Sequence, residues 1–83
     1  MTALRIQIMC YGAVEKYLPE GLILYCTPQN SVASVLEQLH TQYPDAVDLI
    51  ENCACAIAEN IVQRQDILQQ DCILVLLSPV AGG

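Results

Sequence analysis

The chain has 83 residues, 54% of them apolar and 14% charged, enough for one domain (1–83) that buries roughly 60 to 65% of its unfolded surface. Apolar residues beyond what such a core holds mark a partner surface, and three basic residues against nine acidic ones, net charge −6, leave too little positive charge to bind nucleic acid. No apolar stretch approaches the ~18 residues of a membrane-crossing helix, and Arg5 and Gln7 interrupt what a leader peptide keeps apolar, so a cytoplasmic protein without membrane association is expected.

Leu4, Ile6, Ile8 and Cys10 alternate with Arg5, Gln7 and Met9, the period of a strand with one face inward. Tyr11-Gly12 interrupts it, and residues 13–18 allow a turn of helix before Pro19-Glu20-Gly21 breaks the chain. Residues 22–26 read as a second strand, forming a hairpin with the first across a long loop. Breakers follow at residues 27–31, with Asn30 or Ser31 as a helix N-cap. Val32, Val35, Leu36, Leu39 and Tyr43 then recur at i, i+3, i+4, i+7 and i+11, one apolar stripe suited to lie on a sheet. Pro44 ends that helix, because the residue before proline is pushed out of the α region. Asp45 is placed to cap a shorter helical segment through Leu49 and Ile50.

Residues 53–58 are apolar throughout, the pattern of a strand buried on both faces. Glu59-Asn60 reads as a turn, Ile61-Val62 as a short extended piece, and Gln69-Gln70-Asp71 as the approach to the last strand. That strand, Cys72–Leu77, is also uniformly apolar and is expected at the centre of the sheet, covered on both faces. Set parallel to the first strand, it is reached by a crossover of the favoured hand. A mixed sheet with one main helix on one face describes an α+β fold, the ubiquitin-like β-grasp.

The five cysteines, Cys10, Cys26, Cys53, Cys55 and Cys72, are odd in number and sit in apolar segments, which argues against a secreted disulfide framework. Cys53-Ala54-Cys55 lacks the Cys-x-x-Cys spacing and a second ligand pair. Residues two apart in a strand share a face, so both thiols are expected in the core as small hydrophobes, and no metal site is assigned. His40 lies one position along from the helical stripe and is expected at the surface. The chain offers no Ser/His/Asp arrangement, no Gly-rich phosphate loop and no paired Cys/His ligands, so catalysis by the chain alone is not expected.

Its chemistry is expected at the carboxyl end. Pro79 cannot continue an inner ladder and leads through Val80 and Ala81 to Gly82 and Gly83, residues without a Cβ that allow close approach of partner atoms. Residues 78–83 are therefore expected to form a thin, flexible tail that enters a narrow channel in another protein. A carboxylate is a poor acyl donor until it is activated. A partner that attaches AMP from ATP to the Gly83 carboxylate makes a mixed anhydride, and a sulfur nucleophile converts it to a thiocarboxylate.

The ending Leu77-Ser78-Pro79-Val80-Ala81-Gly82-Gly83 resembles the Pro-Pro-Val-x-Gly-Gly ending of the MoaD-type small subunits of molybdopterin synthase, in the ThiS/MoaD family. Tyr11-Gly12-Ala13-Val14, Asn30-Ser31-Val32, Gln42-Tyr43-Pro44 and Cys55-Ala56-Ile57-Ala58 are similar to that family's segments at matching places. Glu15-Lys16, Ala58, Ser78 and the absence of Gly before Asp71 depart from its pattern. The resemblance implies charging by a MoeB-like adenylating enzyme with a sulfur donor, and a heterotetramer with MoaE-type large subunits. In that assembly the sulfur goes to cyclic pyranopterin monophosphate to make molybdopterin for the molybdenum cofactor. It further implies docking through Tyr11, Ile61 and Leu77, with Pro79, Val80 and Ala81 in the tail. No cofactor is held permanently, and the ATP belongs to the adenylating partner. Other readings of the same tail are a sulfur carrier for thiamine thiazole synthesis and a ubiquitin-like modifier joined to lysine. A metal-binding interaction domain using Cys53 and Cys55 is a reading of a different class.

Overall fold

The computed structural model describes residues 3–79. Alternation places Leu4, Ile6 and Ile8 of strand β1 (Leu4–Tyr11) in the core. Strand β2 (Ile23–Cys26) returns antiparallel to it, burying Leu24 and Cys26. A 3-10 turn, Ala13–Lys16, fills the loop between them and buries Val14. Next come a two-residue strand β3 (Asn30–Ser31) and helix α1 (Val32–Gln42), which lays Val32, Val35, Leu36 and Leu39 on the sheet. Ser31 is the N-cap, its Oγ accepting from the Ser34 N–H at 3.2 Å; Asn30 instead donates to Thr27 Oγ1 at 3.2 Å.

Pro44 ends α1 and starts a 3-10 turn, Pro44–Ala46, followed by helix α2 (Val47–Glu51). Asp45 lies inside that turn and makes no capping bond, because Pro44 rather than a side-chain acceptor opens the segment. The carboxyl end of α2 is held from afar. Arg64 Nη2 reaches the carbonyls of Ile50 and Glu51 in the last turn at 3.0 and 3.1 Å and that of Cys53 just beyond it at 3.2 Å. It adds to the Cys53 N–H that also donates to Ile50, at an end where helical carbonyls lack intrahelical partners.

Strands β4 (Ala54–Ile57) and β5 (Asn60–Val62) form a hairpin in which Ile57 opposes Asn60, so its turn is Ala58-Glu59. Both turn residues have positive φ, 50° and 69°, the twist that two-residue hairpins prefer. The turn therefore falls one residue earlier than the expected Glu59-Asn60. Strand β6 (Ile67–Leu68) pairs with β3, a two-residue ladder too short to produce a period in the sequence. Strand β7 (Cys72–Leu77) closes the order β2-β1-β7-β4-β5, parallel to β1 and antiparallel to β4. This is the β-grasp arrangement: a mixed sheet with a main helix and a short one.

Two expectations about coverage need correction. The central strand β7 is covered on one face only: Leu74 and Leu76 are buried, whereas Ile73 and Leu77 on the other face are exposed. Strand β4 meets the expectation in part, burying Cys55 on the core face and Ala56 on the far face but leaving Ala54 exposed. The helices supply a single layer, so the large apolar residues on the far face lie open, and only the small Ala56 is shaded by its neighbours. His40 is also less exposed than expected. Its side chain is 24% exposed, and Nε2 lies 3.6 Å from Glu51 Oε1 without a hydrogen-bond partner.

Candidate functional site

The open face of the sheet is built by register. Every second residue of a strand points away from α1, giving Arg5, Gln7, Met9 and Tyr11 on β1, Ile23 and Tyr25 on β2, and Ile73, Val75 and Leu77 on β7. Ala54 and Ala56 on β4 and Ile61 on β5 complete it. One row across the strands runs Tyr11, Leu77, Ala54, and the next runs Met9, Val75, Ala56, Ile61. The structure thus brings Tyr11 and Leu77 side by side and sets Ile61 on the same face. Their exposures are 48%, 36% and 68%, with Met9 at 37% and Ile73 at 45%.

None of the nine acidic residues occupies an outward position of these strands; all lie in helices, turns and loops. The face is apolar at its centre, with Arg5 and Gln7 at one end of β1. That arrangement suits a partner with an apolar contact, where burial supplies affinity, and the chain's net charge of −6 favours encounter with a basic one.

The chain leaves this face beside Tyr11. Ser78 N–H donates to the Tyr11 carbonyl at 3.0 Å, Ser78 Oγ–H donates to the same oxygen at 2.9 Å, and Val14 N–H donates to Ser78 Oγ at 3.2 Å. Gly12 makes room for this contact. Its φ is +92°, and a Cβ there would lie 3.0 Å from the Ser78 carbonyl oxygen and closer still to Oγ. Glu15 Oε2 accepts from Gly12 N–H at 3.2 Å and holds the loop. Ser78, expected to belong to a free tail, is therefore fixed to the body. Pro79 follows, exposed. Val80, Ala81, Gly82 and Gly83 lie outside the described residues.

A groove of about 300 Å³ opens beside the exit, with Met9, Cys10, Tyr11, Glu15 and Leu18 in its lining. Burial, then the neighbouring Cys53 and Glu15, push the Cys10 thiol up to about 11. Burial is also the leading cause of the upward shifts of Cys26, Cys53, Cys55 and Cys72. Thiols held protonated at neutral pH are weak nucleophiles and poor ligands. Cys53 and Cys55 are both buried, and Cys53 Sγ donates to the Leu49 carbonyl at 3.1 Å. Among the described residues, no group of three or more His, Cys, Asp or Glu is placed to hold a metal ion. No helix there is long and apolar enough to cross a membrane.

Sequence reasoning missed Met9, Ile73 and Val75 as parts of the face, and Gly12 and Ser78 as the exit. The outward residues of β7, Ile73, Val75 and Leu77, carried the signal for the face, being apolar where a solvated strand is polar, whereas on β1 the outward row opens with the polar Arg5 and Gln7. The exit had none, since its contacts join residues 64 or more apart.

Residues 21–83 match the family model described as the ThiS family. No curated protein sequence matches the chain. Among solved structures, small archaeal modifier protein 1 from Haloferax volcanii is similar with a TM-score of 0.81 at 11% identity, over 95% of this chain and 99% of that one. One chain in the structure of a protein-protein complex of subunits 1 and 2 of molybdopterin-converting factor from Helicobacter pylori 26695 is also similar, with a TM-score of 0.66 at 17% identity over 96% of this chain and 100% of that one. A ubiquitin of Caldiarchaeum subterraneum gives 0.64 at 16% identity over 99% and 100%. At these identities the likeness is one of fold.

Proposed function

The chain belongs to the ThiS family, and from that premise we propose that it is a sulfur carrier working through its carboxyl end. The observation that carries this reading is that the family match runs to Gly83, so Gly82 and Gly83 belong to the family domain. The apolar face and the exit at Ser78 lie together, which suits a body that docks while its end reaches elsewhere.

In the proposed reaction the Gly83 carboxylate oxygen attacks the α-phosphorus of ATP on an adenylating enzyme, giving an acyl-adenylate and pyrophosphate. Hydrosulfide attacks the acyl carbon, AMP leaves, and the chain ends in a thiocarboxylate. Its sulfur then passes to the acceptor, and water restores the carboxylate. ATP is bound by the partner, and this chain contributes the acyl group, the docking face and the reach. Tyr11, Ile61 and Leu77 are the proposed contacts of the body, while Pro79, Val80 and Ala81 are the proposed approach to the reacting end.

The finer assignment we propose is the small subunit of a molybdopterin synthase, supported by the Pro79-Val80-Ala81-Gly82-Gly83 ending. The Helicobacter pylori relative forms a complex with a second subunit. On this reading the chain pairs with a MoaE-type large subunit, is charged by a MoeB-like enzyme and supplies sulfur to cyclic pyranopterin monophosphate.

The test is intact-protein mass spectrometry of the untagged chain after incubation with ATP, a MoeB-like enzyme and sulfide. A gain equal to the difference between one sulfur and one oxygen, lost on truncation of Gly82 and Gly83, is the expected result. No gain with an enzyme proven on another carrier sinks the reading. Release of dithiolene product with a MoaE-type subunit assigns the pathway; conjugates to lysine in place of that product assign the chain as a protein modifier.

A further inference from the structure

We propose that Ser78 is a positioning residue whose hydroxyl sets the direction in which the chain leaves the sheet, and through it the rate at which a docked carrier presents its carboxylate. The kinetic half of this rests on the sulfur-carrier reading. Three hydrogen bonds converge on Ser78: its N–H and Oγ–H both reach the Tyr11 carbonyl, at 3.0 and 2.9 Å, and its Oγ accepts from Val14 N–H at 3.2 Å. The hydroxyl is thus used as donor and acceptor at once. Gly12 makes the closeness possible, since a Cβ there would run into both the Ser78 hydroxyl and its carbonyl oxygen.

Local chain chemistry leaves this hydroxyl the deciding role. The ring of Pro79 fixes its own φ and restricts the residue before it to extended backbone. Most of the freedom at the exit is therefore the slack with which Ser78 sits against the Tyr11–Val14 loop, and the Oγ bonds remove it. Tyr11 joins the exit to the docking face: its carbonyl holds Ser78 while its ring stands on the open face beside Leu77. A partner that covers Tyr11 grips the residue from which the exit is aimed. Holding a reacting group near its productive orientation before the event is a rate effect.

Ser78→Ala removes both Oγ bonds and keeps the backbone bond to Tyr11. Pyrophosphate release on the MoeB-like enzyme should show kcat about 3- to 10-fold lower, the equivalent of one hydrogen bond, with KM for the carrier unchanged because the face is intact. Ser78→Thr retains the hydroxyl and should restore kcat. A fall in thermal stability and a rise in KM that account for the lost rate would show a merely structural residue and overturn the proposal, as would an unchanged kcat. An enzyme-free reading accompanies this. Residual dipolar couplings and amide exchange should show Ser78 and Val14 ordered in the parent chain and loosened in Ser78→Ala; equal order in both would overturn the positioning role. If the parent chain is not charged at all, the sulfur-carrier reading fails, and the couplings still decide whether Ser78 aims the exit.

Discussion

Replacing Ile61 by Ala should separate docking from folding. Complete burial of an Ile side chain is worth up to about 3 kcal/mol, and Ile61 remains 68% exposed in the folded chain. About two thirds of that value is left for a partner, roughly 2 kcal/mol, or on the order of 30-fold in Kd at 1.4 kcal/mol per tenfold. The folded chain forfeits only the remaining third, about 1 kcal/mol. Ile67 provides the control, being 51% exposed on the separate β3–β6 ladder rather than on the five-stranded sheet. The assay is titration of the MoeB-like enzyme with each variant by isothermal calorimetry, alongside urea unfolding. Ile61→Ala should weaken binding by about that 30-fold with a small change in stability, and Ile67→Ala should leave affinity alone. Equal affinities for the Ile61 variant and the parent, or an equal loss at Ile67, would refute the assignment of the open face as the docking surface.

Ala58→Asn with Glu59→Gly should stabilise the chain by about 1 kcal/mol, because residues suited to the left-handed region relieve strain at both turn positions and outweigh the added freedom of glycine when unfolded. A midpoint in thermal melting higher by about 4–8 °C checks it. Arg64→Met should cost about 2 kcal/mol in urea unfolding, since charge-assisted hydrogen bonds to the end of α2 vanish while the packed stem remains. Raising the pH should erode stability as Cys10 ionises. Its thiol moves from 9.0 to about 11 on folding, so the folded state holds its proton more tightly. That contribution is complete below pH 9 and lost as pH rises through about 11. Cys10→Ala should lessen the loss in denaturation curves taken across that range, the other four thiols, also shifted upward by burial, supplying the remainder. One residue added after Gly83 should abolish thiocarboxylate formation in mass spectra while leaving the circular dichroism of the body unchanged.

The β-grasp order was largely legible in the chain because its signals are local. Leu4, Ile6 and Ile8 alternate with polar neighbours, Val32 to Leu39 hold a helical period, and Pro44 stops the helix where it stands. Period two and period 3.6 follow from backbone geometry alone. The pair β3–β6 was not legible, since two residues carry no period. The Ala58-Glu59 turn hid behind side chains that two-residue hairpins rarely choose. Tyr11, Ile61 and Leu77 entered through a family resemblance, not through any pattern of their own.

By itself, then, the sequence determined which residues face one side of each strand, where α1 starts and stops, and that two glycines stand together at positions 82 and 83. Only the tertiary structure decided that the second apolar side of β7 is left uncovered, because a hydrophobic run records the character of a face and not whether a layer lies on it. It alone set Tyr11, Leu77 and Ile61 on one surface, through long-range strand register, and tied Ser78 to Tyr11 and Val14. Those contacts join residues at opposite ends of the chain, and no local propensity encodes a bond between partners that meet only when the sheet is complete.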